Sequence, residues 1–185
     1  MTDYYLVPHP DFPSRALTEI RVTVERRGDG IEFWFWLSGD LDQVAWPAGN
    51  SDEIRADNLW KHTCFEAFGR VERQKAYSEF NWCPHVGWAA YAFDSYRSGM
   101  RNIENRDGRP VVGGGYHSVF DDGYVLSFLV DDIFDRNAVL SLGLTAVIEA
   151  ADGTKSYWAL AHPPGKPDFH NADCFTARLA APERA

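Results

Sequence analysis

Apolar and polar residues alternate in short runs along this 185-residue chain, and little in it repeats at helical spacing. Ile20, Val22 and Val24 fall on one face of residues 17–26. Ile31, Phe33, Phe35 and Leu37 do the same in the next run, with Trp34 and Trp36 pointing the other way. A period of two is the signature of a strand with one buried face. Gly28-Asp29-Gly30 lies between these runs, so together they read as a hairpin. Residues 60–71, 77–82, 88–93, 124–130, 140–149, 157–161 and 174–179 continue the pattern, with Leu140, Leu142, Leu144, Ala146 and Ile148 on one face. No run with helical periodicity exceeds roughly seven residues.

Short strands separated by turn signals predict an all-β fold, an antiparallel β-sandwich of two sheets with long loops and little helix. The chain is of a length that fits one domain over residues 1–185. Residues 1–15, with Pro8, Pro10 and Pro13, read as an extended surface lead-in, and residues 180–185 as a loose tail. Residues 39–58 read as a long polar loop, and residues 95–115 as an irregular stretch ending in the flexible turn Gly113-Gly114-Gly115. Residues 131–137 read as a helical turn capped by Asp131 or Asp132.

Charge and cysteine usage narrow the function. A net charge of −9 argues against nucleic acid and against anionic membrane surfaces as partners. Cys64, Cys83 and Cys174 are odd in number and widely spaced, which fits buried free thiols in a reducing compartment. The N-terminus lacks the charged and apolar regions of a signal peptide, and no apolar run approaches the ~20 residues needed to cross a bilayer. A cytoplasmic location is the expectation. Exposed strand edges offer a route to a dimer, but the sequence leaves the oligomeric state open.

The run 77–82 carries the most informative chemistry. Tyr77, Glu79 and Asn81 share one face, opposite Ser78, Phe80 and Trp82. An aromatic ring, a carboxylate and an amide together suit the hydroxyls and apolar faces of a sugar. In a strand over 60–66, Trp60, His62, Cys64 and Glu66 align on one side. If Glu66 neighbours Glu79 across strands, the two carboxylates can serve acid/base chemistry, or they can pair with Lys61, Arg97 or Lys166. His162 and His170 lie on one Pro-rich loop and, with His62, form a candidate three-histidine metal site. Nucleophile-elbow and phosphate-loop motifs are missing.

Three runs, LWKHTCFEAFGRV, YSEFNWCPHVGWAAYAFDSYRSGM and YWALAHPPGKPDFHNADCF, resemble the bacterial DOMON-like proteins, a group related to carbohydrate-binding module family nine. The resemblance covers residues 59–179. It implies a β-sandwich whose relatives bind sugars or haem, with an amino sugar or cell-wall precursor among the implied ligands. Family-nine modules clamp a sugar between tryptophans, with charged and amide groups reaching its hydroxyls. The positions this implies are Trp60, Glu66, Glu79, Asn81, Trp88, Arg97 and Trp158, with His162, Lys166 and His170 beside them.

The expected function is therefore a non-catalytic binding domain for a carbohydrate-like small molecule, needing no cofactor. One alternative is a cytoplasmic sugar-modifying enzyme using Glu66 and Glu79 or a histidine-bound metal. A second is a haem-binding domain, for which Met100 is the candidate methionine ligand.

Overall fold

The computed structural model describes residues 2–28, 30–49, 54–104, 111–120, 123–131, 133–135 and 137–182, with 114–117 and 120 described by their backbone. Twelve antiparallel strands follow one another in chain order: β1 (Thr2–Pro8), β2 (Leu17–Arg27), β3 (Gly30–Gly39), β4 (Cys64–Val71), β5 (Tyr77–Cys83), β6 (Gly87–Phe93), β7 (Arg101–Asn102), β8 (Val112–Phe120), β9 (Gly123–Val130), β10 (Leu140–Glu149), β11 (Lys155–Ala159) and β12 (Ala177–Leu179). The described residues contain only three single-turn 3-10 helices besides, Leu59–Lys61 among them.

The all-β, antiparallel expectation holds, and the strands join in one strongly curled sheet. Hydrogen bonding is continuous in the order β7-β6-β5-β4-β10-β11-β1-β2-β3-β9-β8, with β12 alongside β10. Strand β1 makes this continuity. Its residues from Thr2 to Leu6 pair with β2, and Val7 and Pro8 pair with β11. Residues Thr2–Pro8 of the extended N-terminal stretch thus form a strand between β11 and β2, with most of its side chains exposed.

The sheet curls so that its two halves face each other across one core. The alternating faces read from the sequence point inward, with Ile20, Val22, Phe33, Phe35, Leu37, Leu140, Leu142 and Leu144 all buried in a common cluster. Aromatic rings cross between the halves. Phe35 of β3 meets Phe65 of β4 at 5.2 Å between ring centroids, and Phe128 of β9 meets Trp82 of β5 at 6.1 Å. Such edge and offset contacts add to the area that the rings bury.

Several boundaries differ from expectation. Gly113, Gly114 and Gly115 lie inside β8, where the register with β9 shifts between Gly114 and His117. Lack of side chains lets a strand absorb such an irregularity. Strand β4 begins at Cys64, so Trp60 sits on a 3-10 turn and not on the strand. Likewise, Cys174 closes a 3-10 turn, and β12 starts only at Ala177. Among the described residues of 131–137 no helical turn forms; Ile133 and Phe134 pack against the core. The alternative cap Asp132, the turn residue Asp29 and tail residues 183–185 lie outside the described residues.

Strands β4, β5, β6 and β10 are buried on both faces. Their second face carries Cys64, Phe68, Tyr77, Cys83, Ala89, Tyr91, Phe93 and Val147, packed with Leu59, Phe169, Cys174 and Phe175 from loops. Glycine makes two of these contacts possible. Phe175 lies over Gly143 of β10, where a Cβ would stand 2.8 Å from its ring. Gly87 has φ +139°, and a Cβ there would stand 2.0 Å from the Ile54 carbonyl oxygen. The segment before β4 can therefore run beside β6, with Trp88 N–H donating to Ile54 O at 2.9 Å and Ala56 N–H to Trp88 O at 2.8 Å. That contact delivers Asp57, Asn58 and Trp60 to the second face.

Phe128 touches rings from both halves, with Phe33 at 5.1 Å and Phe35 at 5.8 Å in addition to Trp82. Phe128→Ala is expected to cost about 3–5 kcal/mol, as buried Phe truncations do. That corresponds to a fall in melting temperature of roughly 6–20 °C for a chain of this size, measurable by calorimetry.

Candidate functional site

A cavity of about 770 Å³ opens on the second face of β4, β5 and β6. Ligand pockets typically occupy ~300–1,000 Å³. Its floor is strand surface: Glu66 and Phe68 from β4, Glu79 from β5, Tyr91 and Phe93 from β6, and Val147 from β10. Its walls are loops: Asp57, Asn58 and Trp60 on one side, Arg97 and Met100 on another, and Pro167, Phe169 and His170 on a third. Phe12 and Tyr157 complete the apolar lining.

The floor brings together the two carboxyl groups singled out from the sequence. Glu66 lies directly across from Asn81, and Glu79 directly across from Phe68, so the two glutamates are diagonal neighbours on one face. Both are buried, with 2% exposure for Glu66 and 6% for Glu79. Glu66 Oε2 accepts from Thr145 Oγ1 at 3.1 Å, while its Oε1 has no partner. Glu79 Oε1 accepts from Asn81 Nδ2 at 2.8 Å, while Asn81 Oδ1 has no partner. Removal from water, reinforced by the neighbouring Glu79, pushes the Glu66 carboxyl up to about 8. Burial raises Glu79 as well, opposed by its Asn81 hydrogen bond and by Arg97.

Basic groups near this pair are already engaged or uncharged. His170 Nε2 stands 3.7 Å from Glu79 Oε2, which would be an ion pair only if the imidazole were charged. Burial, reinforced by repulsion from Arg97, lowers His170 to about 4, so the ring is neutral near pH 7 and the contact is a long polar one. His170 Nδ1 lies 2.8 Å from Tyr77 Oη, which also accepts from the Arg97 amide at 3.2 Å. The Tyr77 hydroxyl thus ties the His170 ring to the backbone of the 95–100 loop.

Arg97 closes one wall. Its guanidinium donates to Asp168 Oδ1 at 2.8 Å, and Tyr96 Oη donates to Asp168 Oδ2 at 2.8 Å. Burial opposes the charge on Asp168, but these two hydrogen bonds hold its carboxyl below the usual carboxylate range. They also fasten the loop of 165–170 to the loop of 95–100. On the opposite wall Tyr91 Oη donates to Asp57 Oδ1 at 2.7 Å, and this bond lowers Asp57.

The other expected site residues disperse. Trp60 lines the cavity and keeps 49% of its surface exposed. Trp88 and Trp158 do not reach it. They point to the opposite face and lie inside the core, at 0% and 2% exposure. Register explains this, since Trp88 pairs with Trp82 and Trp158 with Ala146, both of them inward-facing. His62 is exposed and contacts Glu149 at 2.7 Å. His162 Nε2 contacts the Val7 carbonyl at 2.9 Å, and its ring packs on His9. Lys166 is exposed and does not line the cavity.

The three histidines thus have three separate environments, and among the described residues no cluster of three or more His, Cys, Asp or Glu side chains could hold a metal. Met100 stands at the cavity with 59% exposure. All three cysteines are buried and none forms a disulfide, as expected.

Several lining residues were not singled out from the sequence. Tyr91 was legible in principle, because it pairs with Glu79 in register and so shares its face. Phe12, Asp57, Asn58, Phe169 and Pro167 lie in loops, where no periodicity marks which side chains converge.

Fold and cavity together define an all-antiparallel β protein with a ligand-sized pocket on the outer face of half of its sheet. No family model matches the chain, and no curated protein matches it. Solved structures do. A candidate carbohydrate-binding protein from Bacteroides uniformis superposes with a TM-score of 0.69 at 13% identity, covering 95% of this chain and 84% of that one. A family-nine carbohydrate-binding module from Caldicellulosiruptor kristjanssonii, solved with cellotriose, gives a TM-score of 0.48 at 8% identity, covering 87% and 74%. At such identities the likeness to the first is one of fold. No helix of the described residues is long and apolar enough to cross a membrane.

The Glu66 carboxyl has a raised pKa in the folded chain. It therefore favours folding most below its ordinary value of 4.5, and that contribution is lost as pH rises through about 8. Urea unfolding between pH 5 and pH 9 should show stability falling by on the order of a few kcal/mol, since each tenfold difference in proton affinity between folded and unfolded chain is worth about 1.4 kcal/mol. Glu66→Gln should flatten this slope.

Proposed function

We propose that the chain is a binding domain for a carbohydrate-like small molecule, held in the cavity over β4, β5 and β6. One observation carries this reading. Glu66 and Glu79 line a cavity walled by Trp60, Tyr91, Phe93, Tyr157 and Phe169, and Glu66 Oε1 and the neighbouring Asn81 Oδ1 are buried acceptors with no partner. Sugars combine apolar ring faces with rows of hydroxyls, and such a site offers a surface for each. In this reading Trp60 is the accessible aromatic platform, while Glu66, Glu79 and Asn81 meet hydroxyl groups. Arg97 and His170 shape the wall, and Tyr77 holds His170 in place. The fold shared with the Bacteroides uniformis protein supports the reading.

A catalytic reading has one observation in its favour. A carboxyl raised to about 8 in a cleft beside a second carboxyl is poised to exchange a proton near neutral pH. The two readings differ in the fate of the ligand. Chromatography of a bound sugar recovered unchanged after prolonged incubation supports binding alone; conversion to a new species supports catalysis.

A thermal-shift screen against sugars, amino sugars, sugar phosphates and nucleotide sugars is the first test. A ligand at 100 times its dissociation constant should stabilise the fold by about 2.7 kcal/mol. Trp60→Ala should then weaken binding by roughly tenfold to hundredfold, the range of an anchoring aromatic. Its melting temperature should stay near that of the parent, since the ring is half exposed. Trp88→Ala and Trp158→Ala should instead lower stability by about 3–5 kcal/mol, because both rings are in the core. Unchanged affinity in Trp60→Ala would remove the proposed platform.

A further inference from the structure

The floor of the cavity holds more acceptors than the chain can satisfy. Glu66 Oε1 and Asn81 Oδ1 are fully buried and have no hydrogen-bond partner. They belong to residues directly opposite each other on β4 and β5. Glu79 Oε2 adds a third acceptor, with His170 Nε2 at 3.7 Å, beyond hydrogen-bond reach. A buried acceptor left empty costs about 1–3 kcal/mol, more for a charged group, so native interiors rarely keep several together.

Among the described residues no cation forms an ion pair with Glu66, and Arg97 acts on Glu79 only from a distance. The Arg97 guanidinium is committed to Asp168 at 2.8 Å, and His170 stays uncharged. Asp57 on the near wall adds a further negative charge, held by Tyr91 and Arg55. Protonating Glu66 turns one acceptor into a donor, which can serve one of the other two and leaves the last open. A ligand hydroxyl likewise brings one donor, together with acceptor lone pairs of its own. A primary ammonium brings three donors, no acceptor and a positive charge.

Resting on the binding reading above, we infer that the ligand enters this floor with a protonated amine, seated between Glu66, Glu79 and Asn81. The group sits at the buried end of the cavity, while the rest of the ligand lies along Trp60 and the outer aromatic wall. With Glu66 releasing its proton to solvent as the ammonium enters, charge-assisted hydrogen bonds to the two carboxylates then supply both affinity and discrimination against an uncharged isostere.

Titration calorimetry on the full chain tests this. The probes are amino hexoses with nitrogen at C1, C2, C3 or C6, each beside its N-acetyl derivative and its parent neutral hexose. The sugar-free amines methylammonium and cadaverine complete the set. The expected result is an amino sugar binding at least tenfold more tightly than both of its uncharged counterparts. Glu66→Gln and Glu79→Gln should each erase that preference, bringing the amino sugar down to the affinity of its uncharged counterparts. Should either variant misfold, the comparison on the parent chain decides alone. Neutral or acetylated sugars binding as tightly as the amine would overturn the ammonium site and leave the carbohydrate reading standing. Binding of cadaverine without any sugar would keep the ammonium site and overturn the carbohydrate reading. Binding of none of the probes would overturn both.

Discussion

Burial of both faces of β4, β5 and β10 is the constraint on which the architecture rests. One face of these strands closes against β3 and β9 through Phe35, Phe65, Trp82 and Phe128. An ordinary antiparallel sheet would leave the other face to water. Here that face is largely apolar, and it needs a cover. Leu59, Phe169 and Phe175 provide one from loops, because the chain outside the strands is long enough to fold back over them. The cover is incomplete, and the gap in it is the cavity. A site made this way has a rigid floor of hydrogen-bonded strands and walls of loop. That arrangement places polar groups accurately while leaving the walls free to vary.

The walls are nonetheless fastened. Asp168 takes hydrogen bonds from both Arg97 and Tyr96, tying two distant loops together, and His170 is held through Tyr77 from beneath. The close passage of the chain over Gly87 fixes the third wall against β6. Single surface ion pairs contribute little to stability. Asp168 is different in kind, because its two bonds join segments that the sheet itself does not connect. Its value lies in the shape of the cavity more than in the stability of the fold.

Much of the sheet was legible in the sequence because side-chain period and strand pairing obey the same geometry. The inward faces of β2, β3 and β10 follow directly from alternation, as does the grouping of Tyr77, Glu79 and Asn81 opposite Phe80 and Trp82. The neighbourhood of Glu66 and Glu79 followed once both runs were taken as adjacent strands. What alternation cannot say is which of two apolar faces is the deeper. Trp88 and Trp158 belong to the core because their partners Trp82 and Ala146 do, and that is a fact of pairing rather than of either run alone. Curling into one continuous sheet was illegible for a similar reason. It depends on β1 passing from one partner to another within seven residues, where Pro8 and its neighbours resemble a loop. Loop residues such as Asp57 and Phe169 carry no periodic mark, and their convergence is set by the cover as a whole.

The buried glutamates connect these points. Two carboxyl groups under an apolar cover, with no cation committed to them among the described residues, are a poor choice for stability. Apolar residues of similar size would pack the same floor without the cost of desolvation. Neither structural requirement of β4 and β5, pairing and packing, calls for a carboxyl at position 66 or 79, since backbone bonds form the ladder and the core lies on the other face. Thr145 and Asn81 each satisfy one oxygen and leave others open, so the network is only half closed. Half-closed buried networks destabilise the state in which they are empty. Strain of this kind is concentrated where the surrounding structure is rigid enough to hold it, and the doubly buried strands provide that rigidity. The acceptors of the floor are therefore best understood together with whatever fills the cavity, and their unmet donors describe the chemistry of that occupant more closely than the fold does.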